Sequence, residues 1–215
     1  MAPELSFTVE SAAPVPHAAS PRLALRTRID ARPRDRALHS LLLDCQIRLE
    51  PARRAYSDEE ASGLYEIFGA RELWGRSQHS LLWTQVTVLV SEFAGTTRVE
   101  VPVACSYDFD LATTKYFQGL RGGDVPLVVL FSGSAFYESE SGALAVARVA
   151  WTGESRFRLP YDVYAETMAH YYPNQRAITL GREAFERLRR YRIEAGHASW
   201  DGALAALLSR AEAEP

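Results

Sequence analysis

Leu23-Ala24-Leu25-Arg26-Thr27-Arg28-Ile29-Asp30 is the stretch that decides the fold. Leu23, Leu25, Thr27 and Ile29 interleave one for one with a polar set made of Arg26, Arg28 and Asp30. A period of two marks a strand with one buried and one wet face. The same beat returns where Val99, Val101, Val103 and Cys105 alternate with Arg98 and Glu100. It continues where Tyr107, Phe109 and Leu111 alternate with Asp108 and Asp110. Strands of this kind in series bury their apolar faces by packing sheet on sheet. The expected class is mainly β with added α: an antiparallel β-sandwich of about eight strands, with a short inserted helix and a C-terminal helical segment.

Working outward, Leu5, Phe7 and Val9 predict a first short strand, and the proline-bearing stretch 12–21 a loop. Strands follow over 22–30 and 38–50. Ser57-Asp58-Glu59-Glu60 is a capping box, a hydroxyl N-cap with Glu three residues on, and it opens a helix over 57–68 that Gly69 ends. In 80–93, apolar residues occupy both phases (Leu81, Leu82 and Trp83, then Val86, Val88, Leu89 and Val90), which predicts a central strand covered on both sides. Residues 113–120 read equally as strand or helical turn. Val125 to Phe131 is the most apolar strand, and Glu138-Ser139-Glu140-Ser141-Gly142 is a hairpin loop. From Pro160 the spacing turns helical, with helices expected near 162–170, 183–195 and from Ser199 onward. One domain over 1–215 is expected: a sandwich over 1–159, with helix 57–68, and helices over 160–211 packed on it.

Length, charge and composition narrow the function classes. The chain has 215 residues, 47% hydrophobic and 24% charged, with a formal net charge of -3. That balance gives no whole-protein attraction to nucleic acid, and the arginines near 182–192 are offset by Glu183, Glu186 and Glu194. The first residues lack a basic and then apolar leader pattern. The longest apolar run, 125–131, is too short to span a bilayer. A cytoplasmic protein with no membrane insertion and no nucleic-acid partner is expected. Cys45 and Cys105 fall on the inward phase of predicted strands and read as small buried hydrophobes rather than a bridge or a metal site.

Chemistry-bearing motifs are sparse. Gly133-Ser134 lacks the flanking glycine spacing of a nucleophile elbow, and it is expected to join two strands rather than a strand to a helix. The five histidines are scattered, with no pair at i, i+4. No cofactor, catalytic residue or metal ligand is expected. Asp108 and Asp110 share one strand face and admit three readings: a hard-cation site, a charged edge that keeps the strand soluble, or part of a partner surface. In the third reading the polar side of 107–116, with Trp83, Asp108, Asp110, Lys115 and Tyr116, forms the patch, because exposed carboxylates beside aromatics steer and anchor a partner.

Several segments resemble a family of uncharacterised actinobacterial proteins. They are 41–47 (LLLDCQI), 64–69 (LYEIFG), 81–84 (LLWT), 101–110 (VPVACSYDFD), 125–127 (VPL) with 130–133 (LFSG), 158–160 (RLP) and 172–174 (YPN). The resemblance runs over nearly the whole chain and names no chemistry. It implies a genomic neighbourhood beside uptake nickel–iron hydrogenases, and hence hydrogenase subunits or maturation factors as partners. It carries over no catalytic residue and no nickel site. The expected function is a non-enzymatic protein-binding or assembly module, accessory to such a hydrogenase. The alternative is a small-ligand- or metal-binding sandwich.

Overall fold

The computed structural model describes residues 2–106, 108, 111–175 and 178–213, with the side chains of 150–152 outside that description. Residues 1–177 form one compact unit and 178–215 a second.

The first unit opens with β1 (Glu4–Pro14), β2 (Arg22–Arg32) and β3 (Ala37–Leu49). Short helices follow: α1 (Asp58–Gly63), α2 (Tyr65–Phe68) and α3 (Trp74–Ser77). Next come β4 (Leu81–Val90), β5 (Phe93–Ala94) and β6 (Thr96–Ala104). The helix α4 (Ala112–Gly119), the strands β7 (Asp124–Glu138) and β8 (Leu144–Pro160), and the helix α5 (Tyr161–Tyr171) complete the unit. Two antiparallel sheets result, ordered β1-β2-β6 and β4-β3-β7-β8, with β5 also pairing β3.

The period of two does what it predicts. Leu23, Leu25 and Ile29 of β2, with Val101 and Val103 of β6, are wholly buried, as are Leu41, Leu43, Cys45 and Ile47 of β3. Between the sheets Phe7 stacks on Phe131 with centroids 4.5 Å apart and planes 16° from parallel. The wet face of the small sheet is a charge lattice: Arg98 Nε donates to Glu10 at 2.8 Å, and Arg28 pairs with Asp30 at 3.0 Å. Val125–Phe131 belongs to the central strand β7, which fits its unbroken apolar run.

Several expectations are corrected. The first strand runs on to Pro14 rather than stopping at Val9. Residues 80–93 do not form a central strand: β4 lies at the end of the four-strand path, and Leu82 and Leu89 are exposed. The ambiguous 113–120 is helix, since Tyr116 and Phe117 are both drawn fully into the core from it. Gly133-Ser134 lies inside β7 rather than between two strands. Cys45 and Cys105 need no correction, since both are free, buried thiols.

The capping box forms as read, with Glu60 N–H donating to Ser57 Oγ and Ser57 N–H to Glu60 Oε2, both at 3.1 Å. Helix 57–68 is nonetheless two pieces, α1 and α2, meeting at Leu64. Its first piece crosses α4 at two glycines: a Cβ on Gly63 would lie 3.1 Å from Gly119 Cα.

The second unit is a helical pair, α6 (Arg182–Glu194) and α7 (Trp200–Ala213). Ser199 Oγ accepts the Gly202 N–H at 3.0 Å and so caps α7. Phe185 faces Trp200 with centroids 5.5 Å apart, and Arg192 lies over the Trp200 ring at 4.2 Å. Among the described residues no helix of either unit is long and apolar enough to cross a membrane.

Candidate functional site

The residues expected to form a patch separate. Trp83 is half-buried on β4 and rests against Phe117, centroids 4.9 Å apart. Asp108 is exposed and lies outside any strand, with its N–H donating to Ser106 Oγ at 3.0 Å. Asp110, with Tyr107 and Phe109, lies outside the described residues. Leu111, expected to point inward, is exposed and stands at the start of α4. Lys115 is held by an ion pair with Glu66. Tyr116, expected to extend the outer face, is corrected: it is fully buried.

Tyr116 is buried because α4 is amphipathic and lies with that side against α1, α2 and β4. Its hydroxyl meets the Tyr56 hydroxyl at 2.7 Å, and Tyr56 donates in turn to the Pro51 carbonyl at 2.8 Å. Burial away from water pushes both phenols up. Beside them lies a buried ion pair, Arg54 with Glu60. Arg54 also donates to the Gly122 carbonyl at 2.8 Å, and Glu60 accepts the Arg121 N–H at 2.9 Å. Apart from Arg54 Nε, which is buried without a partner, these polar atoms are committed to holding loops, which a buried charge pair requires to offset its desolvation.

On the far side of α4 the same helix walls a groove of about 690 Å³ against α5. Phe117 stacks on Tyr164 at 3.9 Å with planes 12° apart, giving the groove an aromatic floor, and Tyr161 and Met168 add to it. Arg121 at its rim is tied to Glu59, Nε to Oε1 at 2.6 Å. An apolar ring or side chain would fit this chemistry better than a charged group. Sequence reasoning missed Phe117, Tyr164 and Arg121 because their proximity depends on α4 being a helix.

Two other features bear on chemistry. Desolvation raises the thiols of Cys45 and Cys105 to about 12, so neither is activated as a nucleophile. Among the described residues no group of three or more His, Cys, Asp or Glu lies together to hold a metal ion.

The second unit offers a different surface. Phe185, Ile193, Leu204, Leu207 and Leu208 are all exposed, Leu208 to 63%, and Ala203 is the buried residue of α7. The cations Arg192 and Arg210 cover only part of the apolar surface, over the rings of Trp200 and Tyr191.

The model of the family of unknown function DUF6084 matches residues 2–215, and the chain belongs to that family. No curated protein matches. Among solved structures, a β-glucosidase from Kluyveromyces marxianus aligns over 73% of this chain and 15% of its own, at 7% identity and a TM-score of 0.25. The β-glucosidase 3B from Thermotoga neapolitana, solved with glycerol, aligns over 72% of this chain and 16% of its own, at 11% identity and the same TM-score. The chain thus spans about a sixth of these enzymes, and likeness at that level carries no argument about activity.

Proposed function

We propose that this member of the DUF6084 family is a non-enzymatic protein-binding or assembly module, accessory to an actinobacterial nickel–iron hydrogenase and working in the cytoplasm. The observation that carries the binding half is the helical unit at 178–215. A unit of fewer than about 40 residues rarely buries a core of its own. This one leaves Phe185, Ile193, Leu204, Leu207 and Leu208 exposed on two short helices. Apolar side chains gathered in this way, with arginines and aromatics beside them, are the composition of a protein-binding surface. The non-enzymatic half is supported by where the reactive groups are spent. Both thiols are raised by burial, and the Arg54–Glu60 and Tyr56–Tyr116 pairs serve loop and helix anchoring.

The hydrogenase assignment rests on the family resemblance in the sequence, which makes hydrogenase subunits and maturation factors the partners to test. Affinity purification at native expression is expected to recover them. Leu204→Asp with Leu208→Asp should cut that recovery about tenfold or more, since a charge in an apolar contact is costly. Undiminished hydrogenase activity and cofactor insertion in a deletion strain would overturn the assignment.

A second reading, a small-ligand-binding sandwich, is favoured by the aromatic groove between α4 and α5. An aromatic compound that raises the melting temperature of the wild type, but not of a Met168→Arg variant, would support it.

A further inference from the structure

The strand β4 combines two properties that do not belong together in a single chain. Its sequence, Leu81-Leu82-Trp83-Thr84-Gln85-Val86-Thr87-Val88-Leu89-Val90, has the two-phase apolar pattern of a strand covered on both sides. Its position is the edge of the large sheet, with β3 as its one sheet partner. Leu89 is 69% exposed and Leu82 50%, and Leu42, the register partner of Leu89 on β3, is 41% exposed. These leucines make an apolar strip on the outer face of the sheet, beside its open edge.

Each of the other edges is protected. The edge of β6 carries Arg98, Glu100 and Pro102. Strand β1 carries Glu4, Glu10 and Pro14, and β8 carries Arg148, Glu154, Arg156 and Arg158. Those two also close on each other, since Val9 N–H donates to Ser155 Oγ. Charge, proline and coverage are the devices that stop edge-to-edge pairing. Among the described strands longer than two residues, β4 alone has no charged residue and no proline.

We infer that β4 is a homodimer edge, pairing antiparallel with β4 of a second copy about a two-fold axis. A two-fold pairing sets residues of one face beside the same set in the partner. With the axis at Thr87, Thr87 lies against its own copy and Gln85 lies opposite Leu89 of the second copy. Leu82 joins that face because the β3–β4 register slips between Ile47 and Arg48. An uncharged strand is the occupant that buries no unpaired charge here, and β4 itself is the long uncharged strand this chain offers. The four-strand path β4-β3-β7-β8 becomes eight strands running through the dimer. A ten-residue strand is about 33 Å long, so the contact is at the small end of specific interfaces and the expected dimer is micromolar.

The test is sedimentation equilibrium of the full chain from low micromolar to near-millimolar concentration, on the wild type and on Leu89→Lys. Residue 89 is exposed, so the variant keeps its fold, which circular dichroism checks. The wild type is expected to dimerise, and Leu89→Lys to weaken the dimer roughly tenfold or more by bringing one charge from each copy to an otherwise uncharged seam. In parallel, Thr87→Cys should link as a dimer with a short bis-maleimide, whereas Arg148→Cys on the opposite edge should not. Cys45 and Cys105 give little background because they are buried. A wild type that stays monomeric throughout, or a dimer that Leu89→Lys leaves intact, overturns the inference. A dimer in which only Arg148→Cys links overturns it as well.

Discussion

The Val9 backbone N–H donates to Ser155 Oγ at 2.9 Å, across 146 residues of chain and from one sheet of the sandwich to the other. The bond sits where β1 slips register between Val9 and Ser11. An edge strand presents donors that its own sheet cannot satisfy, and here a buried serine of the facing edge takes one of them. Ser155→Ala would leave that donor without a partner in a dry site, at a cost of about 1–3 kcal/mol. The expected result is a lower urea midpoint with an unchanged slope. Amide exchange should accelerate at Val9 ahead of the strands in the core.

The Tyr56–Tyr116 contact separates a core role from a surface role. In Tyr116→Phe the ring stays in place, and the buried Tyr56 hydroxyl loses one partner while keeping its bond to the Pro51 carbonyl. About 1 kcal/mol of stability is expected to go, with no change in partner recovery. A variant of unchanged stability that failed to recover partners would restore Tyr116 to the surface.

How much of this was legible in the sequence depends on what each pattern reports. Alternation reports coverage of one face, so β2, β3 and β6 were readable from Leu23, Leu41 and Val101 and their neighbours. Apolar residues on both phases report that both faces want cover, but not what supplies it, and so they predict a central strand where β4 is an edge. The capping box is local chemistry and survived intact. The break of its helix at Leu64 is not readable in that local chemistry; it falls beside the crossing of Gly63 and Gly119, which are far apart in the chain. The stretch 113–120 was ambiguous because Thr113 and Thr114 favour strands while the helix is imposed by burying Tyr116 and Phe117. The groove depends on that helix, so it could not be seen either.

Gly133 is required by the way β7 passes β3. Its φ is +143°, and a Cβ there would fall 2.0 Å from the Leu42 carbonyl oxygen. Opposite it, β7 and β8 change register between Phe131 and Gly133. Gly133→Ala forces two central strands apart and adopts a backbone region that L-residues avoid, so a loss of about 3 kcal/mol or more is expected. Urea denaturation measures it. Gly75→Ala, with open space around its Cβ, is the control that should leave the midpoint within about 0.5 kcal/mol.

Glu60 holds three separate pieces of chain: the Ser57 N–H, the Arg121 N–H and the Arg54 guanidinium. Glu60→Ala leaves the Arg54 charge buried beside nothing of opposite sign, at an expected cost of about 3–5 kcal/mol. The double variant Arg54→Met, Glu60→Leu should recover part of that loss, because neither charge then remains to be desolvated. A double variant less stable than Glu60→Ala would show that the hydrogen bonds to Gly122 and Arg121, rather than the charge pair, hold the loops.

Alkaline pH should loosen the fold through its thiols. Cys45 and Cys105 rise from 9.0 to about 12 in the folded chain, chiefly by desolvation. Between pH 9 and 12 the unfolded chain gives up thiol protons that the folded chain keeps, so unfolding gains free energy as pH rises. The loss is negligible up to about pH 8, sets in as the unfolded thiol titrates near 9.0, and is on the order of 2 kcal/mol per thiol at about pH 10.5. Tyr56 and Tyr116, also raised by burial, add to it from about pH 10. The urea midpoint should therefore be flat from neutral pH to about 8 and fall beyond it. A Cys45→Ala, Cys105→Ala variant starts from a lower midpoint, having lost buried sulfur, but its decline above pH 9 should be shallower than that of the wild type. Equal declines in the two proteins would place the alkaline loss elsewhere, and rapid modification of both thiols by a maleimide in the folded protein at neutral pH would contradict their burial.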